Sequence, residues 1–194
     1  MDHRNDHRDR GSSYENHGAL VMLVVGDNLQ ELCRQHGLVD NENAFDVTSI
    51  KLTLHATATK FKTEALIDYG KPLKPDWYDE FEIPDEGIEI NKKNAYLCCS
   101  EEKISIPSGY FGFVQTKGSL ARLFVSVTCN DGQIDPGYSG RITFEIVNLG
   151  HLRIRLPPKS EIAQLFIFRT STNNVPPYAG RYQNADKPTV YRPR

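Results

Sequence analysis

The chain has 194 residues, 39% of them hydrophobic, which suits one domain with a sizeable core. A formal net charge of −2 and a pI near 6.3 exclude nucleic-acid binding driven by bulk positive charge, while leaving room for a local basic pocket. Nine Tyr and nine Phe supply the aromatic mass of a β-rich core.

Residues 1–17 read as a flexible polar tail, rich in Asp, Arg and His and without a large aliphatic side chain after Met1. No spacing fixes His3, His7 or His17 as metal ligands. The apolar run Ala19–Val25 is about a third of a membrane span, and no signal-peptide pattern is present. The expectation is a soluble, cytoplasmic protein that binds neither membrane nor nucleic acid.

Residues 18–172 are expected to form a single β-rich domain. Val21–Val25 reads as a short strand. Asp27 is placed to cap a helix, with Gln30 completing a capping box. Leu29, Leu32, Cys33 and His36 follow a helical stripe, and Gly37 suits the C′ position. The spacing predicts a helix of about ten residues. From there the pattern has period two. Leu52 and Leu54 alternate with polar residues, and strands are expected at Tyr96–Cys99, Ile104–Ile106, Tyr110–Val114, Leu123–Val127, Arg141–Val147, Leu152–Leu156 and Ile162–Phe168. Short strands broken by Gly and Pro predict an all-β sandwich or barrel. The acidic segment 70–90, around Trp77 and Tyr78, matches no calcium loop and reads as solvated loop.

The four cysteines, Cys33, Cys98, Cys99 and Cys129, contain no C-x-x-C pair, so neither zinc nor redox chemistry is indicated. Reduced core or surface thiols are expected. Residues 173–194 form a basic, aromatic C-terminal segment, either a frayed tail or a flap over an anion.

Three features concentrate in residues 112–148. Lys117-Gly118-Ser119-Leu120-Ala121-Arg122 is a cationic, glycine-containing turn suited to phosphate. Ile134-Asp135-Pro136-Gly137-Tyr138 is an acidic turn, with Asp135 thirteen residues after Arg122. Glu145 lies in the apolar strand Ile142–Val147, where burial disfavours its charged form. A carboxyl that titrates near neutrality can activate water and then deliver a proton. Blander readings stand beside these: a strand carboxylate facing solvent, a surface ion pair for Arg122, and simple turn-making for Asp135.

These segments resemble the superfamily of dCTP deaminases and their dUTPase relatives, from about Val21 to the end of the chain. The likeness is most specific in 117–122, 134–145 and 178–183. It implies a distorted jelly-roll or β-barrel subunit, dUTPase-like (a β-clip), with one or two short helices and assembled as a homotrimer with shared active sites. It also implies a pyrimidine deoxynucleoside triphosphate bound with Mg²⁺, the metal held through the triphosphate. No zinc is implied, and the H-x-E and P-C-x-x-C signature of zinc deaminases is absent from the sequence.

Residue by residue, the resemblance makes Glu145 the general base and proton shuttle, and Arg122 the group that orients the catalytic water. Asp135 would bind the sugar 3′-hydroxyl and, in a diphosphatase, position the attacking water. Tyr138 would pack near the sugar. Lys117, Gly118 and Ser119 would form the phosphate turn, Gln164 a further phosphate contact, and Tyr178, Arg181 and Gln183 the closing tail. Two positions depart from the deaminase pattern: Gly118 stands where a serine is usual, and Ala185 where a glutamine is usual. Three functions follow: dCTP deaminase, dUTP diphosphatase (alone or after deamination), or a nucleotide-binding regulator with weakened catalysis.

Overall fold

The computed structural model describes residues 22–62, 65–129 and 131–193. The polar tail 1–17 and its histidines lie outside the described residues.

The chain opens with β1 (Met22–Val24) and α1 (Gly26–His36). Gly37 ends α1 in the left-handed conformation, φ 57° and ψ 40°, as the sequence predicts. The expected capping box does not form. Val25 occupies the N-cap without a side-chain bond, and Asp27 falls inside the first turn. There its charge still faces the positive end of the helix dipole.

Strands then dominate. β2 (Ile50–Thr53), β7 (Tyr110–Thr116), β9 (Gln133–Ile134) and β12 (Glu161–Arg169) join β1 in one five-stranded sheet, ordered β1-β12-β7-β9 with β2 also on β12. The second sheet runs β4-β3-β6-β10-β8, from β3 (Thr57–Phe61), β4 (Tyr78–Glu82), β6 (Ala95–Ser105), β8 (Val125–Ser126) and β10 (Ser139–Asn148). β5 (Ile88–Ile90) and β11 (Ile154–Leu156) pair separately. The two large sheets share one apolar core, with Ile50, Leu52, Phe144, Ile146, Leu165 and Ile167 fully buried. The result is an antiparallel, distorted jelly roll whose sheets do not close into a barrel. Among the described residues, the helical content besides α1 is the four-residue α2 (Gly118–Ala121) and short 3₁₀ turns. Among the described residues no helix is long and apolar enough to cross a membrane.

The acidic segment 70–90 is not simply loop. It contributes β4 at a sheet edge and β5 beside β11. β4 keeps Asp79, Glu80 and Glu82 exposed, and charges along an edge strand discourage pairing with other chains. Cys98 and Cys99 are both buried, and burial pushes the Cys99 thiol up to about 12. All four cysteines are free thiols.

Candidate active site

β10 carries the central residue. Gly140, Ile142, Phe144, Ile146 and Asn148 turn into the core, while Ser139, Arg141, Thr143, Glu145 and Val147 take the half-buried opposite face. Glu145 therefore sits back to back with Phe144 rather than inside the apolar core. It pairs with Leu97 of β6 and bridges to Thr128 on the other side.

Glu145 lines a cavity of about 590 Å³, together with Asp131, Asp135, Tyr138, Thr143, Tyr178 and residues of the C-terminal segment. Oε2 is buried and has no hydrogen-bond partner. Burial, followed by the nearby negative charge of Asp131, pushes the Glu145 carboxyl up to about 7, against the pull of a backbone hydrogen bond. A buried, unpartnered carboxyl oxygen at the wall of a cavity is costly unless something enters to meet it.

The turn between β9 and β10 delivers Asp135 and Tyr138 to the same cavity. It is closed by the Tyr138 N–H donating to the Asp135 carbonyl at 3.1 Å. Gly137 has φ 84°, and a Cβ there would stand 2.6 Å from Pro177. Only glycine allows the C-terminal segment to cross this close. Tyr178 follows the crossing, and its ring lies 5.8 Å from that of Tyr138. Burial raises the Tyr138 hydroxyl well above its ordinary value.

The C-terminal segment is not frayed. Asn184 N–H donates to the Ser139 carbonyl and Arg141 N–H to the Ala185 carbonyl, both at 2.7 Å. Gln183 donates to the Gly137 carbonyl at 2.8 Å and accepts from the Ser139 N–H at 3.0 Å. Thr189 N–H donates to the Thr143 hydroxyl at 3.1 Å. Ion pairs of Asp186 with Lys103 and of Lys187 with Glu80 lie at the surface. Tyr182, Thr189 and Tyr191 complete the cavity wall.

The structure thus gathers Glu145, Asp135, Tyr138 and Tyr178, but not the other expected residues. Lys117, Gly118, Ser119, Arg122 and Gln164 do not line this cavity. Lys117 is ion-paired with Glu161, and Ser119 is exposed on α2. Arg122 folds back to donate to the Gly118 carbonyl at 2.9 Å. A Cβ on Gly118 would come within 3.0 Å of that guanidinium, so glycine lets Arg122 lie flat over its own turn. Gln164 donates to the Ser49 hydroxyl at 3.1 Å. Arg181 and Gln183 border a neighbouring cavity of about 700 Å³ formed largely by the C-terminal segment. Arg181 donates to the Arg192 carbonyl, and Arg192 returns a bond to the Arg181 carbonyl at 2.8 Å.

Sequence reasoning missed Asp131 and Thr143. Thr143 shares the half-buried face with Glu145, so period-two alternation could have found it. Asp131 carried no such signal, because its place depends on the turn from Thr128. Among the described residues no cluster of three or more His, Cys, Asp or Glu is shaped to hold a metal ion.

A family model described as dCTP deaminase-like matches residues 25–170. The chain belongs to the dCTP deaminase-like family. Within it, the chain is 34% identical over 114 residues to a dUMP-forming dCTP deaminase of Kocuria rhizophila, covering 56% of this chain and 59% of that relative. It is 30% identical over 159 residues to a dUMP-forming dCTP deaminase of Parafrankia sp., covering 78% of this chain and 79% of that one. The match thus spans about three fifths of the first curated relatives' length, 59% in each of two. The fold is similar to that of the 2′-deoxycytidine 5′-triphosphate deaminase of Agrobacterium tumefaciens, with a TM-score of 0.60 at 15% identity over 77% of this chain and 48% of that one. The dCTP deaminase-like match ends at residue 170, before the C-terminal segment that walls the Glu145 cavity.

Proposed function

We propose that this protein is a zinc-independent dCTP deaminase that converts dCTP and water to dUTP and ammonia. The observation that carries this reading is the buried, unpartnered Glu145 oxygen at a cavity wall, on a carboxyl raised to about 7. In the deprotonated form Glu145 takes a proton from water as the oxygen adds to C4 of cytosine. It then gives that proton to the amino nitrogen as the C4–N bond breaks, and so returns to its starting state. A group with proton affinity near neutrality serves both steps.

Tyr138 and Tyr178 offer an apolar wall for the sugar, and Asp135 an acceptor for its 3′-hydroxyl. A triphosphate needs cations, and the Glu145 cavity has none among its lining residues. We read the Lys117–Arg122 turn as serving the cavity of a neighbouring copy in a homotrimer, with Arg122 orienting the water there. Mg²⁺ would be held through the triphosphate rather than by side chains of this cavity, and would supply charge neutralisation there. Residues 18–172 form the catalytic domain and 173–194 the segment that closes on the nucleotide, as the packing of Tyr178 and Tyr182 against the cavity suggests. Such an enzyme would work on the soluble deoxynucleotide pool of the cytoplasm.

The test is incubation of purified protein with dCTP and Mg²⁺, with nucleotides resolved by chromatography and ammonia assayed. Formation of dUTP, lost in Glu145→Gln, is expected. Wild-type turnover no greater than that variant's would overturn the reading.

A second reading is favoured by Asp135 lining the same cavity and by relatives named dUMP-forming. Deamination would then be followed by attack of water on the α-phosphorus, releasing pyrophosphate and dUMP. Pyrophosphate release from dUTP, abolished in Asp135→Asn, is the expected signature, and intact dUTP after prolonged incubation would remove it.

A further inference from the structure

The Glu145 cavity is acidic in an unbalanced way. Asp131, Asp135 and Glu145 line it, its other titratable residues are Tyr138, Tyr178, Tyr182 and Tyr191, and no Lys, Arg or His is among the described residues that do so. The strands around Glu145 bring no counter-charge, since Leu97 pairs with it from β6 and Thr128 bridges from the other side. Arg141, on the same face of β10, donates instead to the carbonyls of Ser100 and Glu101.

Asp131 is held where it acts on Glu145. Its N–H donates to the Thr128 carbonyl at 2.8 Å, and Thr128 is itself bridged to Glu145. Its Oδ1 accepts from the Gln133 N–H at 3.4 Å, which orients the carboxyl on the turn. Of the two aspartates at the cavity, Asp131 is the one whose charge raises Glu145. A second negative charge beside a half-buried carboxyl disfavours its ionised form.

We propose that Asp131 is a positioning residue acting through Glu145: fixed by the turn from Thr128, it lines the same cavity and adds to burial in holding a proton on that carboxyl in the empty site. The proposal rests on the reading that Glu145 is the proton-transfer group of this site. It adds that the resting proton inventory is set by a neighbouring turn rather than by burial alone.

The experiment is a ¹³C-NMR titration of the Glu145 side-chain carboxyl in the full chain without nucleotide. Asp131→Asn is expected to lower the midpoint by about one pH unit, and Asp131→Glu to return it towards the wild-type value. The acid limb of the kcat/KM profile for dCTP should move down by the same amount, a change that mere loosening of the turn would not produce. An unmoved midpoint in Asp131→Asn overturns the proposal. Should that variant not fold, Asp131→Ser, which keeps a short acceptor for the Gln133 N–H without the charge, is titrated in its place. A lowered midpoint supports Asp131, and an unmoved one overturns it. Absence of deamination would sink the functional reading while the carboxyl titration still decides the role of Asp131.

Discussion

Tyr138 donates its hydroxyl to the backbone carbonyl of Arg141 at 2.6 Å, closing the turn that leads into the Glu145 strand. The ring is thereby fixed against the cavity while its polar end is occupied. Tyr138→Phe is therefore expected to cost about 1 kcal/mol of stability, the net value of one such bond. Nucleotide affinity should hold within about threefold, because the ring remains, whereas Tyr138→Ala should lose it. Urea unfolding and calorimetric titration with dCTP check the pair.

Glu145 links stability to pH. Its folded value of about 7 lies above the ordinary carboxyl value, so between them the native state binds more protons than the unfolded chain. The contribution is fully present below the unfolded value and is lost as pH rises through the folded one. Each pH unit separating the two values is worth about 1.4 kcal/mol. Wild type should therefore lose roughly 2–3 kcal/mol relative to Glu145→Gln between about pH 4.5 and about pH 8. Parallel denaturant curves at the two ends of that window measure the difference, and an equal pH dependence in both proteins would contradict it.

The C-terminal segment depends on Gly140 and Gln183. Gly140 has φ 137°, and a Cβ there would stand 2.6 Å from the Ala185 nitrogen. Gly140→Ala is expected to expel the segment from β10. Gln183→Ala should loosen it by about 1–3 kcal/mol, the cost of leaving two backbone groups without partners. Hydrogen exchange at Asn184, Ala185 and Thr189 should rise in both variants, with β12 unchanged.

Arg122 and Glu145 should complement each other between subunits. Arg122→Ala and Glu145→Gln are each expected to abolish dCTP turnover. Mixed after dissociation and reassembly, the two inactive proteins should regain part of the wild-type activity, because some shared sites receive an intact residue from each parent. Mixtures no more active than their components would place the two residues in a single-chain site.

The core strands were legible because their side chains alternate. β10 shows the full period-two pattern, and β12 pairs along its length with β7 as an apolar strand should. β4 escaped because an edge strand needs no apolar face, and its acidic sequence therefore resembles loop. The cap on α1 was not legible because the bond from Gly26 N–H to the Val47 carbonyl fixes the entry to the helix, a partner twenty-one residues away. At the candidate site, Glu145, Asp135 and Tyr138 stood out because each sits in a distinctive local sequence. Asp131 did not, since its proximity to Glu145 arises only when the Thr128 turn folds beside β10. Arg122 and Lys117 were legible as cations, but sequence spacing could not tell that they would stand apart from Glu145 within one chain.

A chamber bordered by three acids and, among the described residues, no base repels a polyphosphate. On the proposed reading, in which a neighbouring copy supplies the cations, a freshly synthesised, solitary chain would be dormant, with its nucleotide turned away. The specific activity of such an enzyme towards dCTP is expected to collapse on dilution, so that its abundance would set a threshold for turnover.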